Sequence, residues 1–412
     1  MRRNLRENYN PLYFLASLGS GGLAVSFFMY FMFMVDHPGR PMANFEHVFP
    51  IFTGDNMLAK VLAAAAIAGI IFFAYKHFRL LFWNIKEYSL YRKTEAYQKL
   101  RKTPGEISLM AIPLTLAMTI NVLFILGGLF IPNLWSYVEY AFPFALAAFL
   151  AVGIYALVIF KNYFTRFIIS GDTSFVNGNN LSHMIAVFAF GMIAVGFGAP
   201  AAMSKTVAVS VIGTVLSIFF ATLAVGLMIL KLILGVRAIF DKGIDKGAAP
   251  SLWLAIPIFT LFGIAIVRLY NGINHNLLHN AEPSTLPLMI ILTMLVSLQI
   301  AFGLIGYVVM KKIGYFRDFI HGEEKSPGSF SLICPGVAFF VLGMFWIHMG
   351  FTKTGILSMF SPVYFLMLIP FVYVQFITMQ TVFRLNKKLL LEPKASSVHQ
   401  YQMAAATRRI TK

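Results

Sequence analysis

The sequence has few charged residues and a single cysteine. Charged residues make up 12% of the 412 residues and hydrophobic residues 58%, whereas a quarter of a typical soluble chain is charged. One cysteine, Cys334, excludes an internal disulfide and a metal cluster built on cysteine thiolates. The mean hydropathy is +0.76, and apolar runs of about 20 residues can cross a hydrocarbon core of about 30 Å. These features predict a polytopic helical membrane protein with one membrane domain.

Ten apolar runs predict ten transmembrane helices, joined as five hairpins. The predicted spans are residues 12–35, 57–80, 109–132, 137–160, 181–203, 206–234, 251–270, 286–310, 329–350 and 360–384. Together they form one transport domain, residues 12–384, between a cytoplasmic N-terminal tail of residues 1–11 and a cytoplasmic C-terminal tail of residues 385–412. No signal peptide is expected, because the N-terminus is polar and the first apolar run is long and has no cleavage site.

The formal net charge of +17 is unevenly distributed between successive connections. Basic residues cluster in residues 1–6, 86–102, 161–166, 237–246, 311–325 and 387–412. The alternate connections contain only Arg40, Lys205 and Lys353. Because short basic loops stay in the cytoplasm, both termini are predicted to be cytoplasmic, in a bacterial inner (plasma) membrane. The basic charge therefore indicates topology and contact with anionic membrane lipid, and no nucleic-acid partner is expected.

Most odd-numbered spans have a proline near their predicted cytoplasmic entry, and the odd spans tend to contain more small and polar residues than the even spans. Proline removes a backbone donor and frees a carbonyl about four residues earlier, and in a membrane that carbonyl needs a partner or a water-lined cavity. This pattern predicts an inner pore ring of odd helices within an outer ring of even helices, although close helix packing also explains small residues. The residues expected to line the pore or break its helices are Pro11, Gly19, Gly22, Pro113, Thr119, Asn121, Pro257, Ser331, Pro335 and Gly336.

Two stretches, NPLYFLASLGSGGLAVSFF at residues 10–28 and GSFSLICPGVAFF at residues 328–340, resemble the first and ninth helices of the tellurite-resistance/dicarboxylate transporter family, which includes slow-type anion channels. The resemblance implies a homotrimer with a central pore in each protomer, closed by a phenylalanine of the ninth helix. The gate candidates are Phe330, which lies in a Phe-Ser pair typical of the family, and Phe339 and Phe340. Packing is the alternative role for each, since the chain has 42 phenylalanines.

Cys334 stands where the ninth helix departs from the family pattern. A further resemblance, to TsoY-like (seleno)proteins, implies a selenocysteine at this position. The adjoining Pro335 and Gly336 predict a distorted helical turn, where a thiol near a helix N-terminus has increased reactivity. Cys334 is therefore either a redox or soft-ligand site or a small apolar residue of the kind that fills helix interfaces.

The odd spans contain no aspartate or glutamate, which argues against a cation pathway because carboxylates within a membrane are costly and usually functional. Helix N-termini with unpaired N–H groups favour anions. Arg268, near the outer end of the seventh span, either attracts anions or extends its charge to the interface. His275 and His279 have metal-ligand spacing but no evident further ligand, and His183 and His348 lie at opposite ends of spans. No metal, haem or other cofactor is expected.

The sequence therefore predicts a channel or carrier for small anions or small neutral solutes rather than an enzyme. One alternative is a membrane thiol or selenol redox protein that acts through Cys334 with a second thiol from a partner. The other is a structural or sensor subunit that transports nothing.

Overall fold

Ten membrane-length helices dominate the fold of this protein. The computed structural model describes residues 1–170, 178–280 and 283–391, and within them the chain is helical without a β-strand. We number the ten helices as follows: α1 (Pro11–Met34), α2 (Met57–Tyr91), α3 (Pro104–Phe130), α4 (Val138–Ile169), α5 (Met184–Met203), α6 (Val207–Lys242), α7 (Lys246–Leu277), α8 (Leu286–Lys312), α9 (Pro327–Thr352) and α10 (Pro362–Leu390). The prediction of an all-α, multi-pass membrane protein is confirmed.

Several even helices extend beyond the apolar runs from which their ends were predicted. α2 continues to Tyr91 and α6 to Lys242, beyond the predicted ends at residues 80 and 234. The extension of α2 is polar and buries Trp83, Asn84 and Glu87. Hydropathy detects only the part of a helix that lies in hydrocarbon, so the ends of such helices were predicted too early.

Most odd helices begin with a 3₁₀ segment, in which each hydrogen bond spans three residues instead of the four of the α-helix that follows. Four of them start with a 3₁₀ segment: Pro11–Tyr13, Pro104–Met110, Lys246–Leu254 and Pro327–Leu332. In three of these helices a proline is the third residue of the α-helical part that follows: Pro113, Pro257 and Pro335. Proline is tolerated in the first turn of an α-helix because an N–H there has no α-helical partner. These prolines therefore mark the change from 3₁₀ to α-helical bonding.

Odd and even helices differ in burial. In the most apolar part of each helix, 61–94% of the residues of odd helices are buried, compared with 22–33% for even helices. Each odd helix packs against the next odd helix along the chain, and α9 packs against α1. The even helices expose large apolar side chains such as Phe144, Ile233 and Leu304, as expected of surfaces that face lipid.

Contacts between connections define two faces of the molecule. At the first, Arg166 Nη2 donates to the Thr103 carbonyl at 2.9 Å, Lys388 Nζ donates to the Phe319 carbonyl at 2.7 Å, and Lys246 pairs with Asp318. We call this the basic face, comprising residues 1–10, 84–106, 237–250 and 313–326. The opposite face comprises residues 35–56, 131–137, 204–206, 272–280 and 353–361, where Asn133 N donates to Glu46 at 2.6 Å and Lys205 N donates to Glu139 at 2.8 Å.

The first ten residues pack on the basic face and do not form a free tail. Glu87 of α2 accepts hydrogen bonds from the backbone N–H groups of Asn4 and Leu5, at 3.0 and 2.8 Å. Trp83 Nε1 donates to the Arg2 carbonyl at 2.7 Å. At the other end of the chain, α10 continues to Leu390, past the predicted start of the C-terminal tail at 385, and residues 392–412 lie outside the described residues.

Close packing between α4 and α5 depends on Gly196. A Cβ at this position would lie 2.2 Å from the ring of Phe149, so we expect Gly196→Ala to lower the free energy of unfolding by about 1–3 kcal/mol through overpacking. Gly226 of α6 is the matched control, because a Cβ there would meet no atom within 4 Å. Gly226→Ala should raise stability by about 0.5–1 kcal/mol. Thermal unfolding of both variants in detergent tests this packing, and equal effects at the two positions would contradict it.

Candidate functional site

A cavity of about 1100 Å³ lies between the odd helices. All five odd helices line it, and Phe142, Ala145 and Phe149 of α4 reach it as well. Residues 35–42 and Lys205, Lys353 and Met359 line its mouth, and all of these belong to the opposite face or adjoin it. The cavity therefore opens at the opposite face.

The cavity stops before the odd helices reach the basic face. Its deepest lining residues in α1, α3, α5, α7 and α9 are, respectively, Leu18, Met118, Phe188, Pro257 and Cys334. Below this level the helices pack directly on one another through buried side chains, which include Phe14, Leu114, Met184, Leu254 and Ile333. We call these five residues the floor. The floor closes the cavity towards the basic face.

Cys334 begins a regular stripe of cavity-facing residues on α9. The stripe continues through Val337, Ala338, Val341, Phe345 and His348. Steps of three or four residues keep side chains on one side of an α-helix. Following that spacing from Cys334 would have identified these residues from the sequence.

Some of the predicted pore residues line the cavity and others do not. The lining includes Gly19, Gly22, Asn121, Pro257, Arg268 and Cys334. Outside the lining lie Pro11, Pro113, Thr119, Ser331, Pro335 and Gly336. Thr119 Oγ1 lies 3.0 Å from His77 Nε2 of α2, and a Cβ on Gly336 would lie 1.8 Å from Thr378 Oγ1 of α10. These two residues therefore face the outer helices.

The three gate candidates of α9 are also absent from the lining. Phe330 is fully buried beside the floor, and its ring packs edge-on against Tyr13 at a centroid distance of 6.2 Å. Phe340 packs against Tyr30 at 5.3 Å, and Phe339 packs against Phe371 of α10 at 4.7 Å. The phenylalanines that do line the cavity, which the sequence pattern did not single out, are Phe28, Phe33, Phe124, Phe142, Phe149, Phe188 and Phe345.

The charged residues of the lining are mostly cationic. Among the described residues of the lining, Asp36 is the single carboxylate, and it lies at the mouth, whereas four side chains are cationic: Arg40, Lys205, Arg268 and Lys353. Arg268 is the one of these four that lies within a membrane-length helix, near the outer end of α7. Its Nη1 donates to the Val195 carbonyl of α5 at 2.7 Å, and no carboxylate among the described residues forms an ion pair with it. A Cβ on Gly198 would lie 3.3 Å from Arg268 Cβ, so glycine leaves room for the arginine stem.

The histidines singled out from the sequence do not assemble a metal or haem site. Within the described residues, no group of three or more His, Cys, Asp or Glu side chains has a geometry that could hold a metal. His275 lies at the mouth of the cavity, and His279 lies four residues further along the chain, in the same part of the opposite face. His348 Nδ1 lies 2.8 Å from the Met344 carbonyl and its Nε2 3.0 Å from the Tyr364 hydroxyl. His183 lies beside the start of α5, at the other face.

Cys334 allows the open side of the cavity to be tested without engineering, because it is the only cysteine. Its side chain is 6% exposed at the deep end of the cavity. We expect a small, membrane-impermeant methanethiosulfonate to modify it from the opposite face and not from the basic face. Mass spectrometry of the protein in vesicles of the two orientations measures this. Cys334→Ser is the control for specificity, and equal modification from both faces would contradict a closed floor.

Comparison with known proteins gives no assignment for this arrangement. No family model, no curated protein and no solved structure matches the chain. The resemblance to the tellurite-resistance/dicarboxylate transporter family therefore stays a prediction, and functional inference rests on the geometry of the cavity.

Proposed function

We propose that this protein is a membrane channel or carrier that moves small anions, or small neutral solutes, through the space between its five odd helices. The observation on which the proposal depends is the position of Arg268. Arg268 lines a large cavity, and no carboxylate among the described residues forms an ion pair with it. A charge within a membrane protein is costly and usually marks a substrate or ion pathway.

The distribution of charge favours anions over cations. A cation pathway needs carboxylates at depth, whereas Asp36 lies at the mouth of the cavity and the other charged lining residues are cationic. Cations around a cleft with low-dielectric walls raise the local concentration of anions. Arg40, Lys205 and Lys353 at the mouth would therefore attract anions towards Arg268.

The closed floor gives the proposed pathway an inactive state. Transport requires the five floor residues to move apart, together with the neighbouring Phe330 and Tyr13 rings. Phe330 therefore remains the proposed gate residue. We further propose that the basic face is cytoplasmic, following the positive-inside rule, in a bacterial inner membrane. The homotrimer implied by the family resemblance belongs to the same proposal.

A redox role for Cys334 is the second candidate, favoured by its position in the lining. A solute that enters the cavity would reach the thiol. Because this is the chain's single cysteine, a thiol–disulfide cycle needs a second thiol from a partner protein or a small-molecule thiol. Transport that is unchanged by Cys334→Ser would remove the redox role from the pathway.

Flux measurements in liposomes test the transport proposal. Purified protein is reconstituted with gradients of chloride, nitrate and a dicarboxylate, and Arg268→Gln is expected to reduce anion flux about tenfold or more, since about 1.4 kcal/mol of lost binding energy corresponds to a factor of ten. Arg268→Lys should retain part of the flux because it keeps the charge.

Arg237→Gln is the matched control, since Arg237 is 81% exposed on α6 and its replacement removes the same charge outside the cavity. Its flux should equal that of the wild-type protein. Absence of flux for every solute, with protein that is folded and inserted, would contradict transport. An equal loss in both variants would contradict the role of Arg268.

A further inference from the structure

We propose that the cavity binds an organic monoanion with an aromatic body, such as an aromatic monocarboxylate, with the carboxylate on Arg268 and the ring against the cavity wall. This inference rests on the proposed function and names the class of solute that fits the same site. It follows from three features of the cavity: a cation carried by an odd helix, an amide in the same lining, and a wall of aromatic and methionine side chains.

Most N–H donors of the Arg268 guanidinium form no hydrogen bond to a described residue. Arginine has five N–H donors in a planar fork, and the structure gives this one a single hydrogen bond, from Nη1 to the Val195 carbonyl at 2.7 Å. A carboxylate matches the remaining fork because it can accept two parallel N–H bonds. Burying a charge without a counter-charge is unfavourable, so an anion that enters the cavity would gain a strong partner.

Asn121 of α3 supplies a second donor in the lining of the same cavity. Its Nδ2 lies 3.6 Å from the Met192 sulfur of α5, and a thioether is a weak acceptor. Met192 and Val195 are three residues apart on α5, so they lie on neighbouring turns of one helix face. Asn121 and Arg268 therefore both contact α5, at residues three apart, and both line the cavity.

The wall is far more apolar than a halide or a dicarboxylate requires. Seven of its residues are phenylalanines of the odd helices and α4: Phe28, Phe33, Phe124, Phe142, Phe149, Phe188 and Phe345. Aromatic rings pair favourably at centroid distances of about 4.5–7 Å. The second carboxylate of a dicarboxylate would have to lie against this wall, where an unpaired charge is unfavourable.

The size of the cavity supports the same class of ligand. Its volume of about 1100 Å³ is slightly above the range of about 300–1000 Å³ that is typical of sites for organic ligands. An inorganic ion would leave most of that space to water, and one water occupies about 30 Å³ in the liquid. Because the mouth lies at the opposite face among Arg40, Lys205 and Lys353, the ligand enters from water.

Equilibrium binding to the purified full-length protein, by titration calorimetry, tests this inference with a matched set of probes. The set is phenylacetate, its neutral analogue phenylacetamide, acetate, chloride, octanoate and the dicarboxylate 1,4-phenylenediacetate. We expect phenylacetate to bind at least about tenfold more tightly than each of the others. The neutral amide tests whether binding needs the negative charge, and acetate and chloride test whether it needs the aromatic ring. Octanoate tests whether an aliphatic, lipid-like acid binds as well as an aromatic one. The dicarboxylate tests whether the site rejects a second negative charge.

Two variants test where the anion lies. Arg268→Gln is expected to weaken phenylacetate binding by about tenfold or more, and Asn121→Leu by a smaller factor, while Arg237→Gln leaves it unchanged. The comparison of phenylacetate with phenylacetamide on the wild-type protein keeps the test valid if a cavity variant fails to fold. Equal binding of the acid and the amide, tighter binding of chloride or octanoate, or unchanged affinity in Arg268→Gln would overturn the inference.

The same experiments separate this inference from the transport proposal. Liposomes that pass chloride or nitrate, with protein that does not bind phenylacetate, would leave transport standing and overturn the aromatic ligand. Phenylacetate binding that depends on Arg268, without flux of any solute including phenylacetate, would support the site and contradict transport.

Discussion

The hydrogen bond from Arg268 to the Val195 carbonyl places a cation among helices that are otherwise apolar. A guanidinium in this position needs water or an anion, because hydrocarbon offers it neither. Gly198 makes space for its stem, and the odd helices that line the cavity are far more buried than the even helices. The proposed solute and its proposed pathway both depend on this one charge being tolerated there.

The closed floor is the second constraint on function. The odd helices pack tightly where their 3₁₀ segments pass into α-helix and separate above that level. Proline at the third α-helical residue of α3, α7 and α9 is compatible with this transition because its missing N–H lies where the hydrogen-bond pattern changes. In the proposed transport cycle these segments are the ones that must move. The first ten residues, tied to α2 through Glu87, pack beside them and would move with them or restrain them.

The sequence predicted the number and type of helices and some of the residues that line the cavity. Hydropathy and the distribution of basic residues are strong signals for spans, and Asn121, Pro257, Arg268 and Cys334 do line the cavity. It did not predict the direction of each side chain. Thr119 and Asn121 are two residues apart and therefore point to nearly opposite sides of α3, and only Asn121 faces the cavity.

Helix rotation explains the other misplaced residues as well. Phe339 and Gly336 contact α10, while Ala338 and Val341 on the same helix face the cavity. When apolar residues lie on every side of a helix, the sequence offers no contrast between a polar and an apolar face from which to set that rotation. The position of the floor could not be predicted from the sequence either, because it depends on how five separate helices pack together at one level.

Paired cysteine accessibility at one depth of α9 tests most directly whether the inner helices enclose a cavity open at the opposite face. In a Cys334→Ser background, Val341→Cys lies in the lining, while Leu342→Cys, one residue further, is fully buried against its neighbours. With an impermeant reagent applied at the opposite face, the cavity predicts rapid modification at 341 and little at 342. Equal rates at the two positions, or no reaction at 341, would contradict it.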